Sequence, residues 1–146
     1  MTLALDILNA RVPGYEGLQM ILVDRQGTIK EILSMDAVLK RISASQLQGL
    51  NVVGDWISLG GVDLQINGVL GLPFPDLTPE NAEKLTEICQ FLWQQGVDGF
   101  LPTLVTTSVQ KIQQSLAVIA EFAAAQKQDK PTAQMLGVHL EGPFLN

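Results

Sequence analysis

The stretch VDGFLPTLVTT, residues 97–107, decides the fold. It is an apolar run that opens after Gly96, carries Pro102 near its middle and ends in threonines. Helical periodicity stands on both sides of it. Upstream, Leu85, Ile88, Cys89, Leu92 and Trp93 fall at i, i+3, i+4, i+7 and i+8, one face of a helix. Thr78 is placed to cap that helix, Pro79 to form its first turn and Gly96 to stop it. Downstream, Ser108 can cap a second helix whose apolar stripe is Ile112, Leu116, Ile119, Ala120 and Ala123. A short apolar run between two amphipathic helices reads as a buried strand. Pro102 weakens that reading, because proline has no N–H to give to a ladder.

Two further runs complete the pattern. WISLGGVDLQIN (56–67) and AQMLGVHLEGP (133–143) are apolar strand candidates on either side, giving β-α-β-α-β. Apolar strands alternating with helices predict a parallel sheet covered by helices, the α/β class. The units recur every roughly 40 residues, near the spacing at which about 250 residues close eight of them into a barrel. Each run keeps its polar residues at its C-terminal end: Gln65 and Asn67, then Thr103, Thr106 and Thr107, then His139 and Glu141. That end is where β/α barrels carry their catalytic groups. Residues 1–57 differ in character. LALDILNARV (3–12) and GLQMILV (17–23) are strand-like; DRQG (24–27) breaks the chain before TIKEIL (28–33), as in a hairpin. Residues 35–48 read as a short helix or an irregular connection, and NVVGDWISL (51–59) returns to strand character. The division is therefore a small β unit over 1–57 and an α/β unit over 58–146.

Composition narrows the partners. With 146 residues, 47% apolar and 16% charged, the chain is core-rich rather than disordered. A net charge of −6 argues against non-specific nucleic-acid binding, which needs a basic patch. No apolar run approaches about 18 residues, so no membrane span is expected, the N-terminus lacks a signal-peptide pattern, and no membrane partner is expected. The lone cysteine, Cys89, has no internal disulfide partner and suits a reducing cytoplasm.

Along the last strand Gly137, His139 and Glu141 share one face, with His139 about 6.6 Å deeper than Glu141. A carboxylate at the mouth of an apolar strand is costly unless paired or bound to a cation. Glu141 is therefore a candidate metal ligand or general base, against a salt bridge to a neighbouring strand or a cap for the next element. His139 reads as a hydrogen-bonded core or second-layer histidine before a ligand. On the first strand Asp63, Gln65 and Asn67 share a face. Gln65 and Asn67 are neutral amides, poor zinc ligands but good hydrogen-bond partners for a carbonyl or water, and equally able to tie down loop backbone. Cys89 and Trp93 read as core, and neither NGVLG nor EGP has the form of a phosphate-cradling loop.

SLGGVDLQINGVLG (58–71), FLPTLVTTS (100–108) and GVHLEGPFLN (137–146), in that order, resemble N-acetylglucosamine-6-phosphate deacetylases of the amidohydrolase superfamily. The β-rich N-terminus resembles that superfamily's small β-sandwich domain. Most amidohydrolases carry His-x-His where this sequence has Gln65-Ile66-Asn67. The resemblance implies the first three strands of a truncated (β/α)8 TIM-type hydrolase barrel, and one main divalent metal site, zinc or similar, with Glu141 as its carboxylate ligand. It implies metal-assisted hydrolysis of the acetamide of an amino-sugar phosphate in a cytoplasmic homodimer. It places the metal histidines and the catalytic aspartate on later strands, so that 146 residues alone would be inactive; Asp63 does not match that aspartate. The alternatives are another amidohydrolase, a deaminase or cyclic-amide hydrolase, and a non-catalytic fragment with a structural or binding role.

Overall fold

A computed structural model describes residues 5–126 and 131–142. The chain divides into two compact units, Met1–Leu59 and Gly60–Asn146.

In the first unit, β1 (Ile7–Ala10), β2 (Gln19–Val23) and β3 (Ile29–Ser34) are followed by the short helix α1 (Met35–Leu39), a 3-10 turn and β4 (Leu50–Asn51). Together they make one four-stranded sheet in the order β3-β2-β1-β4, with β4 parallel to β1 and the other pairs antiparallel. The expected hairpin at residues 24–27 is present. Asp24 Oδ1 accepts the N–H groups of Gln26 and Thr28, both at 2.9 Å, while Gly27 takes φ +82°. Leu8, Met20, Met35 and Val38 form the buried cluster of this unit. Two strands are shorter than the sequence implies. Asn9, at φ +57°, bulges β1 against β2, and residues 3 and 4 of the expected strand lie outside the described residues. The run 51–59 is strand only at its start. Val53 (φ +54°) and Gly54 (φ +90°) turn the chain there, with Asn51 Oδ1 accepting from the Val53 N–H at 3.0 Å.

The second unit opens with β5 (Gly61–Ile66), then a two-stranded hairpin of β6 (Gly68–Val69) and β7 (Leu72–Pro73). After two 3-10 turns come α2 (Lys84–Gln94), β8 (Val97–Val105), α3 (Val109–Ala125), β9 (Gln134–Met135) and β10 (His139–Glu141). Strands β5, β8 and β10 lie side by side in the order β10-β8-β5, all parallel, and β9 adds a short parallel pairing to β8. Residues 97–107 thus supply the central strand on which the sheet is assembled. Its alternation settles the two faces. Phe100 and Leu104 join the buried cluster with Leu85, Ile88, Cys89 and Leu92 of α2 and Val118 and Ile119 of α3. Phe100 packs on Phe74, ring centroids 6.3 Å apart. Thr103 and Val105 alternate onto the opposite face.

Several local expectations need correction. Pro102 is fully buried in the middle of the sheet. It is tolerated because it pairs with Ile66 where the β5–β8 register slips, a bulge at which a ladder donor is not required. Thr78 stands at the N-cap of the 3-10 turn Pro79–Asn81, its N–H donating to Asn81 Oδ1 at 2.9 Å, and α2 begins only at Lys84. Trp93 is not core but 44% exposed. At ~100° per residue it lies about 80° around the helix from Leu85, off the buried stripe. On α3 the buried residues are Ser115, Val118 and Ile119, while Ala120 is exposed. The Ser115 hydroxyl donates to the Pro75 carbonyl at 3.2 Å, which brings that side of the helix inward. The third run is two strands rather than one. Gly137, at φ +154°, separates β9 from β10, Leu136 packs where Gly99 has no side chain, and Pro143 lies outside the described residues.

Candidate functional site

The polar residues singled out in the sequence gather on the face of the sheet that the helices leave open. Strand β10 carries His139 and Glu141, in register with Thr103 and Val105 of β8. Thr103 is fully buried, and its hydroxyl lies 3.2 Å from His139 Nδ1. The histidine is thereby held by a side chain of the neighbouring strand, and its Nε2 makes no hydrogen bond among the described residues. Glu141 is half-buried at the end of β10. Its backbone carbonyl accepts from the Thr106 hydroxyl at 3.3 Å, and Gly142 follows at φ +101°, where a Cβ would collide with that same hydroxyl. The Glu-Gly step therefore requires glycine both for its backbone angle and for the close approach of Thr106.

The Glu141 carboxylate is met from two strands away. Gln65 Nε2 donates to Glu141 Oε2 at 3.0 Å, reaching across β8 from β5. The amide thus takes the carboxylate rather than loop backbone. Asn67 behaves differently. It is exposed, its carbonyl accepts from the Phe74 N–H at 3.0 Å, and its side chain makes no hydrogen bond among the described residues. Gln65 is itself fixed from below, where Asp63 Oδ1 accepts the Gln65 backbone N–H at 3.1 Å inside the bulge between Asp63 and Ile66.

The donors around Glu141 are of the kind a divalent cation takes. Among the described residues Glu141 has no cationic partner; the ion pair found there is Lys111 with Asp76, 2.7 Å apart on the surface. The salt-bridge alternative for Glu141 therefore has no counterpart in the described residues, and a cap for a following element would lie outside them. One oxygen accepts a neutral amide and the other has no partner among the described residues, which suits a carboxylate that ligates through one atom. The described residues hold no group of three His, Cys, Asp or Glu side chains able to enclose a metal, so they fit as part of a ligand set and not as a whole one. A separate apolar concavity between α2 and α3, lined by Thr86, Cys89, Phe122, Gln126 and Thr132, contains none of these polar residues.

All of these residues were singled out in the sequence, but two contacts between them were not anticipated, Asp63 with Gln65 and Thr103 with His139. The spacing of Asp63 and Gln65, i and i+2, is that of an Asx turn. The pairing of Thr103 with His139 depends on strand register and had no local signal.

N-acetylglucosamine-6-phosphate deacetylase of Haemophilus influenzae is 32% identical over 133 residues, covering 90% of this chain and 32% of the relative. The enzyme of the same name from Mus musculus is 33% identical over 93 residues, 64% of this chain and 22% of the relative. Among solved structures, the N-acetylglucosamine-6-phosphate deacetylase of Pasteurella multocida superposes with a TM-score of 0.69 at 25% identity, over 99% of this chain and 35% of that one. The Mycobacterium smegmatis deacetylase, solved as a mutant in complex with N-acetyl-D-glucosamine-6-phosphate, gives 0.66 at 17% identity over 98% of this chain and 34% of that one, a likeness of fold. No protein-family model matches. The chain spans about a third of the length of the Haemophilus and Pasteurella proteins, and it resembles the N-terminal region of this group of deacetylases in sequence and in fold.

Proposed function

We propose that this chain forms the N-terminal part of an N-acetylglucosamine-6-phosphate deacetylase. In that enzyme residues 60–146 contribute the first strands of a β/α barrel, and the 1–59 sheet contributes to a small β domain. The observation that carries the reading is Glu141: an anionic side chain with no cationic partner among the described residues, at the C-terminal end of a parallel strand, in a chain similar to deacetylases over 90% of its length. Among the described residues no helix is long and apolar enough to cross a membrane. In this reading the complete enzyme acts on a polar sugar phosphate in the cytoplasm. The complete enzyme is expected to be a homodimer.

In this reading Glu141 supplies the carboxylate ligand of a divalent cation, zinc or similar. Bound there, such an ion would polarise the acetamide carbonyl of N-acetylglucosamine 6-phosphate for hydrolysis to glucosamine 6-phosphate and acetate. This chain's own residues hold and orient that ligand. Gln65 takes one oxygen of Glu141, Thr106 and Gly142 fix the backbone that carries it, and Thr103 fixes His139 one layer deeper. Proton transfer falls to a group outside residues 1–146, so these residues alone release no acetate.

The test is acetate release from N-acetylglucosamine 6-phosphate by the protein expressed from its complete reading frame, alongside Glu141→Gln. The variant nearly preserves shape while removing the charge. Metal content per folded molecule and rate should fall together, with partial rescue by excess divalent metal. Equal metal occupancy in the two proteins, or turnover by residues 1–146 alone, refutes the assignment.

A further inference from the structure

We infer that Asp63 and Gln65 form a positioning device for Glu141, and that Asp63, which matches no catalytic position of the resembled family, acts on the site through its neighbour. The inference rests on Glu141 being a cation ligand, as proposed above. Three observations carry it.

First, the chain of contacts is continuous. Asp63 Oδ1 accepts the Gln65 N–H at 3.1 Å, and Gln65 Nε2 donates to Glu141 Oε2 at 3.0 Å. Second, it occurs at a bulge. The β5–β8 register slips between Asp63 and Ile66, which withdraws Gln65 from regular pairing and leaves its N–H to the Asp63 carboxylate. A bulge beside a site serves to re-aim a side chain, and here the re-aimed side chain crosses a whole strand to reach β10. Third, the chemistry is selective. An amide N–H can donate to a carboxylate oxygen but cannot neutralise it. Gln65 therefore fixes which oxygen of Glu141 is occupied while leaving the full negative charge for a cation. A lysine in its place would take the charge as well.

The consequence is that Glu141 offers a divalent cation one oriented oxygen. Hydrogen-bond partners of metal-ligating carboxylates commonly contribute about 10–100-fold to metal affinity. The experiment measures Zn2+ affinity by competition with a chromophoric chelator, on the protein from the complete reading frame, with thermal melts to confirm folding. Gln65→Met keeps the length and removes the donor; affinity should fall about 10–100-fold with little change in melting temperature. Gln65→Leu serves the same purpose if the first variant does not fold. Asp63→Ala should lower affinity in the same direction by less, and Asp63→Asn, which retains an oxygen acceptor for the Gln65 N–H, should restore it. A role confined to stability would move the melting temperature and leave Zn2+ affinity alone. Wild-type affinity in Gln65→Met together with lost affinity in Glu141→Gln overturns the positioning role and leaves the metal reading intact. Wild-type affinity in Glu141→Gln overturns the metal reading itself, and the positioning role with it.

Discussion

The two faces of the β5-β8-β10 sheet are made from the same strands and do opposite things. On one, Phe100 and Leu104 lie beneath α2 and α3 in a continuous apolar cluster that also contains Phe74, Leu85 and Ile88. On the other, the residues of the same strands are Gln65, Thr103, His139 and Glu141, joined by hydrogen bonds and partly open. The period of two along a strand separates them, so one sequence position decides whether a residue serves packing or chemistry. Burial of apolar area, at about 25 cal/mol per Å2, makes the covered face the source of stability. The open face keeps groups whose full burial would be costly, which leaves them free to bind. The difference teaches that stability and site should be separable by mutation here, and it can be broken by any variant that moves the wrong property.

The largest expected effect is on the covered face. Phe100 is fully buried against Phe74 and the α2 side chains. Phe100→Ala should lower unfolding free energy by about 3–5 kcal/mol, enough to exhaust much of a marginal domain's stability. Chemical denaturation of wild type and variant would measure it. A loss below about 1 kcal/mol would mean that this face is not the core of the unit.

A second expectation concerns Cys89, on the same face. Burial pushes its thiol up to about 11, against a smaller opposing pull from Gln126. A folded-state value above the unfolded one means that the native protein holds this proton longer. Its contribution to stability is therefore complete below the unfolded value near 9 and is lost as pH rises through about 11. At pH 8 alkylation by iodoacetamide should run on the order of 10²-fold slower in the native protein than in denaturant, since the thiolate is the reacting form. Rapid labelling of native protein would show that α2 is not closed against the sheet.

How much of this could be read from the sequence follows from the range of each interaction. The helix stripes were legible because Leu85, Ile88, Cys89 and Leu92 lie within eight residues and obey one period. Trp93 reads as the i+8 position of the same face, but it lies about 80° around the helix from Leu85, at the edge of the stripe, and is 44% exposed. The parallel sheet was legible from the alternation of elements, but its breaks were not: Asn9 at positive φ and Gly137 between β9 and β10 are single-residue backbone events that composition does not announce. Within the site, Glu141 was visible as a charge ending an apolar strand. Its bond to Gln65 was not, since the two are 76 residues apart and meet only because β5 and β10 flank β8.

The smallest expected effect sharpens the comparison on the open face. Thr103 is fully buried, like the core, yet its hydroxyl points to His139 Nδ1 at 3.2 Å on the polar side. Thr103→Val exchanges a hydroxyl for a methyl of similar size, so no cavity opens and the β-branched shape that suits a strand is kept. What is lost is one hydrogen bond, worth about 1 kcal/mol net. His139 is only half-buried, so water can replace the lost partner and the cost should stay at or below that figure. The more telling readout is the imidazole itself. With Thr103 present Nδ1 has a protein partner, whichever way the bond runs, and its nitrogen chemical shift should change in Thr103→Val as water takes that place. A loss above about 3 kcal/mol would be the signature of core truncation rather than of a lost hydrogen bond. It would mean that this side of β8 is packed as tightly as the helix-covered side, and that the two faces differ in residue type but not in physical role.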